Sequence, residues 1–228
     1  MPRRIVRFES IASTMHEAGR LAAEGCDSGT AVVAEEQTAG LGRHGHSWYS
    51  EPAAGLYASI VLRRAPAPAV TLAMGIAAAE AIENTTGLRV DLRWPNDLIL
   101  NGRKLAGILV ESIPGALIVG VGVNVNHRAF PADIEHLATS LRIESGREHS
   151  REALLDALLG WVDHYASVPE EDAIREFQER SSYSRGRRVV VDGVGEGVTD
   201  GLNAEGFLVL RRADGSRTTI LAGGVRPA

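Results

Sequence analysis

A glycine-rich segment, residues 37–48, carries the side chains whose types and spacing best suit chemistry. Its sequence is Gln-Thr-Ala-Gly-Leu-Gly-Arg-His-Gly-His-Ser-Trp, and its glycines let backbone N–H groups approach a ligand closely. Arg43, between His44 and His46, adds a fixed positive charge that suits a phosphate or a carboxylate. The segment lacks the Gly-Lys-Ser/Thr ending of a Walker loop and the GxGxxG fingerprint. It is consistent with an anion-binding loop, or with a flexible surface loop whose arginine is solvated.

Asn96 and Asp97 form a second polar pattern, directly after Trp94-Pro95. Pro95 favours an extended conformation at the preceding tryptophan, so the two polar residues fall where a strand meets a turn. Their side-chain oxygens suit a phosphate-bound Mg²⁺, and they equally suit a turn that needs no ligand.

A lysine within an apolar strand is the third pattern. Lys104 follows Asn101-Gly102, a dipeptide typical of a two-residue hairpin turn. Strict alternation places its side chain on the same face as Ala106, Ile108 and Val110, where burial of an unpaired ammonium is costly. The position is explained by a cleft in which the lysine meets an anion, or by a strand edge from which it reaches water.

Two further patterns involve small or hydroxyl side chains. Gly120-x-Gly-x-Asn124 lies in an apolar strand, where glycine marks the close approach of a ligand or simply of a packed helix. Ser13 and Thr14 precede an amphipathic stretch and suit a helix cap, a hydrogen-bonding site, or both.

The elements that must position these residues are a mixture of strands and helices as far as about residue 180. Thr14 and Glu17 match a capping box, which predicts a helix over 14–24. The apolar run 70–84 predicts a buried helix, and further helices are expected from 150 and over 169–181. Strands are expected at 5–8, 30–34, 56–62, 90–93, 98–100, 105–111 and 116–125, and, past a change of composition near Tyr183, at 188–191, 206–210 and 218–221. We therefore expect an α+β domain over 1–182 and a small barrel-like β domain over 183–228.

Composition narrows the class of protein. The net charge of −5 argues against a general nucleic-acid binder, whose surface is basic. The lone Cys26 has no partner for an internal disulfide, which indicates a reducing compartment. The sequence shows neither a secretory signal pattern nor an apolar stretch of about 18 residues, so we expect a cytoplasmic protein away from membranes.

Taken together and in order, these segments resemble the catalytic domain of biotin–protein ligases. The resemblance runs from about residue 8 to 180, and its motifs are Ser13-Thr14, Gln37-Thr-Ala-Gly, Gly42-Arg43-x-Gly45 with Trp48, Trp94-Pro-Asn-Asp97, Lys104-Leu-Ala-Gly-Ile-Leu-Val-Glu111 and Gly120-x-Gly-x-Asn124. It implies a mixed β-sheet flanked by helices, as in class II synthetases, with a C-terminal SH3-like β-barrel. It also implies activation of biotin by ATP to biotinyl-5′-AMP, followed by transfer to a lysine of a biotin carboxyl carrier protein.

The same resemblance implies roles for individual residues. Arg43 and Lys104 would be the catalytic residues, in contact with the reacting carboxylate and α-phosphate. The implied biotin-binding residues are Ser13, Thr14, Gln37, Gly40, Leu41, Arg43, Lys104, Gly107 and Gly120. The implied ATP-binding residues are Arg43, His44, Gly45, His46, Trp48, Asn96, Lys104 and Asn124. Asp97 would meet Mg²⁺ that arrives with ATP, and no tightly bound cofactor is implied.

Two positions depart from the pattern of many members. Leu41 stands where many carry arginine after the first loop glycine, and Met15 stands where many carry asparagine after Ser-Thr. Neither departure touches Arg43 or Lys104, so we expect activity. The sequence leaves no room for an N-terminal helix-turn-helix domain, so we expect no DNA-binding role, and a homodimer is a hypothesis. The alternatives are a lipoate ligase or octanoyl transferase, and a non-catalytic biotin or nucleotide-binding module.

Overall fold

A computed structural model describes residues 3–228, most of which form a central seven-stranded sheet flanked by helices. The strands of this sheet are β1 (Ile5–Ile11), β2 (Ala31–Gln37), β3 (Gly55–Leu62), β4 (Asp91–Arg93), β5 (Asp97–Leu100), β6 (Arg103–Ile113) and β7 (Ala116–Asn124). Their order is β1-β2-β3-β7-β6-β5-β4, with β1 parallel to β2 and every other neighbouring pair antiparallel. The predicted mixed sheet is therefore confirmed.

Helices cover both faces of this sheet. They are α1 (Thr14–Ala23), α2 (Ala69–Thr86), the short α3 (Leu141–Ser145), α4 (Arg151–Ser167) and α5 (Glu170–Arg180). As predicted, α2 is buried nearly all round, and it packs against the sheet, α4 and α5. Ile60 of β3 belongs to this large core, whereas its neighbour Val61 faces α1 on the opposite side of the sheet.

The start of α1 differs from the predicted capping box. Ser13 is the N-cap residue and its side chain accepts no capping hydrogen bond. The hydroxyl of Thr14 instead contacts Gln37 Oε1 at 3.0 Å and Ser59 Oγ at 2.8 Å, while Glu17 pairs with Arg20. Thr14 is therefore turned toward the sheet and not toward the helix backbone.

The predicted face of Lys104 is wrong, because a β-bulge places this side chain on the opposite face of β6. Leu98 of β5 pairs with Ala106, but Ile99 pairs with Lys104, so Leu105 is an extra residue in β6. The bulge turns Lys104 away from the core face that Ala106 and Ile108 occupy. The turn itself is as predicted, because Asn101 (φ 49°) and Gly102 (φ 81°) both adopt the left-handed conformation of a two-residue hairpin.

The C-terminal segment forms a second, five-stranded antiparallel sheet. Its strands are β8 (Arg185–Val191), β9 (Gly195–Leu202), β10 (Leu208–Arg211), β11 (Arg217–Ile220) and β12 (Val225–Pro227), in the order β11-β10-β9-β8-β12. Within the described residues β11 and β12 do not pair, so the five strands of the predicted barrel-like domain form an open sheet. Trp94 Nε1 donates to Gly206 O at 3.0 Å and joins this sheet to the central one.

Over residues 3–228, every helix is too short or too polar to cross a bilayer.

Candidate active site

A cavity of about 230 Å³ lies between the glycine-rich loop, the start of α1, strands β6 and β7, and the C-terminal sheet. Twelve of the sixteen predicted site residues line it, namely Thr14, Gln37, Leu41, Arg43, His44, His46, Trp48, Asn96, Asp97, Lys104, Gly107 and Gly120. Residues far apart in the sequence therefore meet at one place, with both predicted catalytic cations among them.

Four predicted site residues lie beside the cavity and not on its wall. Ser13 is buried next to Thr14, and its hydroxyl has no hydrogen-bond partner among the described residues. Gly40 and Gly45 belong to the loop framework. Asn124 is buried, and its amide donates to Thr139 O at 3.0 Å, so its contacts in this structure are structural.

The glycine-rich loop is closed on itself by backbone hydrogen bonds. Trp48 N–H donates to Gly40 O at 2.9 Å, and Gly42 N–H donates to His46 O at 2.7 Å. A β-carbon at position 40 would lie 2.6 Å from Trp48 O, so the close approach requires glycine there. Gly45 has a φ of 78°, which glycine adopts without strain at the tip of the loop.

Glycines in the two central strands make room for large side chains on the cavity floor. A β-carbon at Gly107 would lie 3.1 Å from the Trp48 ring, and one at Gly120 would lie 2.6 Å from Met15 Sδ. Lys104 Nζ lies 5.4 Å from the Trp48 ring centroid, within cation–π distance. The strand glycines thus allow Trp48 and Met15 to pack closely against the sheet. Met15 stands where many members of the family carry asparagine.

A hydrogen-bonded chain lines the end of the cavity near α1. Gln37 Oε1 accepts from Thr14 N–H at 2.9 Å and from the Thr14 hydroxyl, while Gln37 Nε2 donates to Ser50 Oγ at 3.1 Å. Ser59 on β3 completes the chain through Thr14. Sequence reasoning missed Ser59, although its position as a polar residue within a fully apolar strand was a usable signal.

One partly buried carboxylate, that of Asp97, holds the lysine of the cavity. Asp97 contacts Lys104 Nζ at 2.5 Å through Oδ1 and Arg93 at 2.8 Å through Oδ2. Burial by itself raises the pKa of the Asp97 carboxyl, but the charges of Lys104 and Arg93 outweigh it and hold that pKa below its ordinary value. Asp97 is therefore an anion that orients Lys104.

Arg43 reaches across the cavity from the loop to the opposite wall. Its guanidinium donates to Asn96 Oδ1 at 3.2 Å and to Gly223 O at 3.4 Å, and burial lowers its pKa, against the opposing effect of Asp97. A half-buried guanidinium with these weak neutral partners has donors left for an anion. The arrangement suits a substrate that brings its own negative charge.

A strap of residues 137–139 fixes the backbone of Lys104 from behind. Lys104 N–H donates to Leu137 O at 2.7 Å, and Thr139 N–H donates to Lys104 O at 2.9 Å. Glu144 joins this strap to the hairpin turn, because its carboxylate accepts from the Thr139 hydroxyl, Asn101 Nδ2 and Arg103. Burial raises the pKa of Glu144, yet these three donors leave it lowered overall. The bulge at Leu105 is thus locked in place.

The C-terminal sheet contributes part of the cavity wall, which sequence reasoning missed. Asp192 and Gly224 both line the cavity, and Asp192 pairs with Arg226 on the neighbouring strand at 2.5 Å. A β-carbon at position 224 would lie 2.6 Å from Asp192 Oδ2, so the carboxylate lies directly over this glycine. Two consecutive glycines near the C-terminus, Gly223 and Gly224, were the sequence signal that could have indicated this close approach.

The carboxylates that line the cavity offer few ligands for a metal ion. Over residues 3–228, His, Cys, Asp and Glu side chains do not gather in threes as they do around a resident metal. Asp97, the predicted Mg²⁺ contact, is a single carboxylate already paired with two cations. Such a donor set suits Mg²⁺ that is bound mainly by substrate phosphates.

Comparisons with known proteins agree with this geometry. A biotin–[acetyl-CoA-carboxylase] ligase of Paracoccus denitrificans is 33% identical over 87% of this chain and 90% of its own length. The bifunctional ligase/repressor BirA of Bacillus spizizenii is 35% identical over 70% of this chain, which spans about half (52%) of that relative. The solved structure of the Aquifex aeolicus biotin protein ligase in complex with biotin and ATP is 28% identical, with a TM-score of 0.87 over 100% of both chains. The model of the biotin/lipoate A/B protein ligase family matches residues 7–127, more than half of the sequence. The chain belongs to the biotin/lipoate A/B protein ligase family.

Proposed function

We propose that this protein is a biotin–protein ligase, which forms biotinyl-5′-AMP from biotin and ATP and transfers biotin to a lysine of a biotin carboxyl carrier protein. The observation that carries the proposal is the placement of Arg43 and Lys104 on one cavity beneath a closed glycine-rich loop. The relatives support it, since the Paracoccus relative is a biotin–[acetyl-CoA-carboxylase] ligase and the Aquifex structure holds biotin and ATP.

The hydrogen-bonded end of the cavity would bind the ureido ring of biotin. Thr14 and Gln37 present a hydroxyl and an amide there, and the unpartnered hydroxyl of Ser13 lies buried beside them. A ring with two N–H donors and one carbonyl acceptor suits this set. Trp48, Gly107 and Gly120 would form the apolar floor, with Leu41 and Gly40 in the loop above.

The first half-reaction brings the biotin carboxylate against the α-phosphate of ATP. Two like unit charges at about 4 Å repel by about 4 kcal/mol at an effective dielectric near 20, so the site must supply positive charge. Arg43 and Lys104 would supply it from this chain, and Mg²⁺ that arrives with ATP would shield the leaving pyrophosphate. His44, Gly45, His46 and Asn96 would serve the nucleotide side, with Asp97 near the metal.

The second half-reaction transfers the acyl group to an amine. The acyl adenylate is a mixed anhydride that water destroys, so the loop over residues 40–48 would shield it until the carrier lysine attacks and AMP leaves. The open C-terminal sheet would border the route of that lysine, because Asp192 and Gly224 lie on the cavity wall. We keep the division into domains 1–182 and 183–228, the cytoplasmic location, the homodimer and the absence of nucleic-acid binding as predictions.

The proposal is tested with purified protein, ATP, Mg²⁺ and either biotin or lipoate, by following pyrophosphate release and acyl transfer to a biotin carboxyl carrier domain. We expect release and transfer with biotin and at least about tenfold less with lipoate, a difference of about 1.4 kcal/mol. Preference for lipoate would move the protein to the lipoate branch of its family. Biotin binding without pyrophosphate release would indicate a binding module and contradict the proposal.

A further inference from the structure

The two positions at which this chain departs from the pattern of many family members lie in one place. Leu41 and Met15 both line the reaction cavity. Met15 is part of the smaller hydrophobic core, which fills the space between α1 and the sheet, and Leu41 packs against the same core. Many members carry arginine and asparagine at these positions, so two apolar side chains stand here in place of two polar ones.

Leu41 is the only apolar side chain between Gly40 and Trp48. It is half-buried, whereas residues 44–47 are exposed. A glycine-rich segment loses much conformational entropy when it becomes ordered, and burial of an aliphatic side chain is a favourable contribution that offsets this loss. Leu41 is therefore the side chain of this segment best suited to anchor it.

The contacts of Arg43 do not fix its position strongly. Its guanidinium donates to Asn96 Oδ1 at 3.2 Å and to Gly223 O at 3.4 Å. Both acceptors are neutral and both bonds are long, so they are weaker than the short bidentate pairs that arginine forms with a carboxylate. The orientation of Arg43 across the cavity therefore depends on the backbone that carries it.

A tight turn of the backbone carries this arginine. Leu41 and Ser47 form an antiparallel bridge, and Gly42 N–H donates to His46 O at 2.7 Å within it. These contacts connect the two arms of the turn. Residues 41–47, hereafter the loop turn, therefore form one unit, and the leucine stands at its base, two positions before the arginine.

We propose that Leu41 is a positioning residue, which anchors the loop turn on the smaller core and thereby holds Arg43 over the reacting groups. The inference rests on the proposed function, in which Arg43 contacts the carboxylate of biotin and the α-phosphate of ATP. A cation that is already oriented before the substrates arrive costs no reorganisation when charge develops in the transition state. Leu41 thus supplies packing at a position where an arginine would supply charge.

The test compares Leu41→Asn with the wild type in pyrophosphate release from biotin and ATP with Mg²⁺, measured in a single turnover with excess enzyme. Asparagine replaces the apolar side chain with a polar one and leaves the length of the loop unchanged. We expect the rate to fall at least about tenfold. Leu41→Met, which keeps an apolar side chain of similar volume, is expected to retain a rate near that of the wild type.

Leu221→Asn is the matched control, because it makes the same change at a side chain that is 68% exposed and does not line the cavity. We expect the wild-type rate in this control. In the Arg43→Ala background, L41N is expected to change the rate by less than about twofold, because the anchor then has no arginine to position. A wild-type rate in L41N, equal losses in L41N and L221N, or an undiminished loss from L41N in the R43A background would overturn the proposal.

Amide hydrogen exchange tests the anchor independently of activity. The N–H groups of Gly42 and Trp48 close the loop through backbone hydrogen bonds, so their exchange rates report its opening. We expect exchange at least about tenfold faster in L41N than in the wild type, and unchanged exchange in L221N. Unchanged exchange at both amides in a folded L41N protein would show that Leu41 does not anchor the loop. Absence of pyrophosphate release from the wild type would count against the proposed function alone.

Discussion

Trp48 lies directly against the backbone of Gly122, so closely that a β-carbon at position 122 would be 2.5 Å from Cε2 and 2.7 Å from Nε1 of the indole. This contact couples the end of the glycine-rich loop to the centre of the sheet. The indole has no room to keep its position if residue 122 acquires a side chain.

Gly122→Ala is therefore expected to displace Trp48 and weaken biotin binding. Overpacking of this kind costs about 1–3 kcal/mol of packing energy, and a loss of that size in binding corresponds to roughly fivefold to roughly 150-fold in the dissociation constant measured by calorimetry. Gly160→Ala is the matched control, because position 160 lies within α4 with no atom within 4 Å of the added carbon. Unchanged biotin affinity in G122A would show that Trp48 does not contribute to the binding surface.

Ser13→Ala separates binding from stability. The buried Ser13 hydroxyl has no hydrogen-bond partner within residues 3–228, so its removal is expected to leave the free energy of unfolding unchanged or slightly higher. Biotin affinity is expected to fall about tenfold, because the hydroxyl is free to accept from the ureido ring. Thr14→Val, which breaks contacts with Gln37 and Ser59, is expected to lower both quantities. Equal biotin affinity in S13A and the wild type would remove Ser13 from the site.

Glu144→Ala is expected to remove the hydrogen bonds that hold residues 137–139 and the hairpin turn together behind Lys104. Its carboxylate joins Thr139 to the hairpin turn, and loss of the partner of the buried Thr139 hydroxyl costs about 1–3 kcal/mol of stability in urea unfolding. Pyrophosphate release is expected to fall as well, and to fall no further when E144A is added to K104A, because the two changes act through one side chain. Glu148→Ala, which breaks surface pairs with Arg142 and Arg128, is the control. Additive losses in the double variant would mean that Glu144 acts independently of Lys104.

His127 predicts a specific pH dependence of stability. It is fully buried with a stacked Phe130 beside it and the Tyr57 hydroxyl 3.3 Å from Nε2, and burial lowers its pKa to about 4. The unfolded chain protonates this imidazole near pH 6.5, so stability falls as the pH drops from about 6.5 to about 4, by up to about 3 kcal/mol. In His127→Phe the free energies of unfolding at roughly pH 7.5 and roughly pH 4.5 should differ less than in the wild type. An identical difference would show that His127 does not carry this dependence.

The resemblance to biotin–protein ligases was sufficient to group Arg43, Lys104 and Asp97 in one site, whereas the residue patterns alone left an alternative open for each of them. It did not reveal why Lys104 faces the cavity. The bulge at Leu105 depends on pairing with residues 137–139, which lie more than thirty positions away. The predicted cap is absent for a tertiary reason, because the Thr14 hydroxyl bonds to Gln37 at the end of β2. The presence of Asp192 on the cavity wall could not be predicted, because short β-patterns do not specify where the second sheet packs.

Activation of biotin by Lys104 in this cavity is tested by the rate of pyrophosphate release from ATP in the presence of biotin, compared between the wild type and Lys104→Ala. Arg128→Ala serves as a control, because that side chain is 77% exposed and does not line the cavity. We expect a biotin-dependent rate that falls at least about tenfold in K104A, or about 1.4 kcal/mol of transition-state stabilisation, and stays near the wild-type value in R128A. A folded K104A protein that releases pyrophosphate at the wild-type rate would contradict the assignment of this cavity as the site of biotin activation by Lys104.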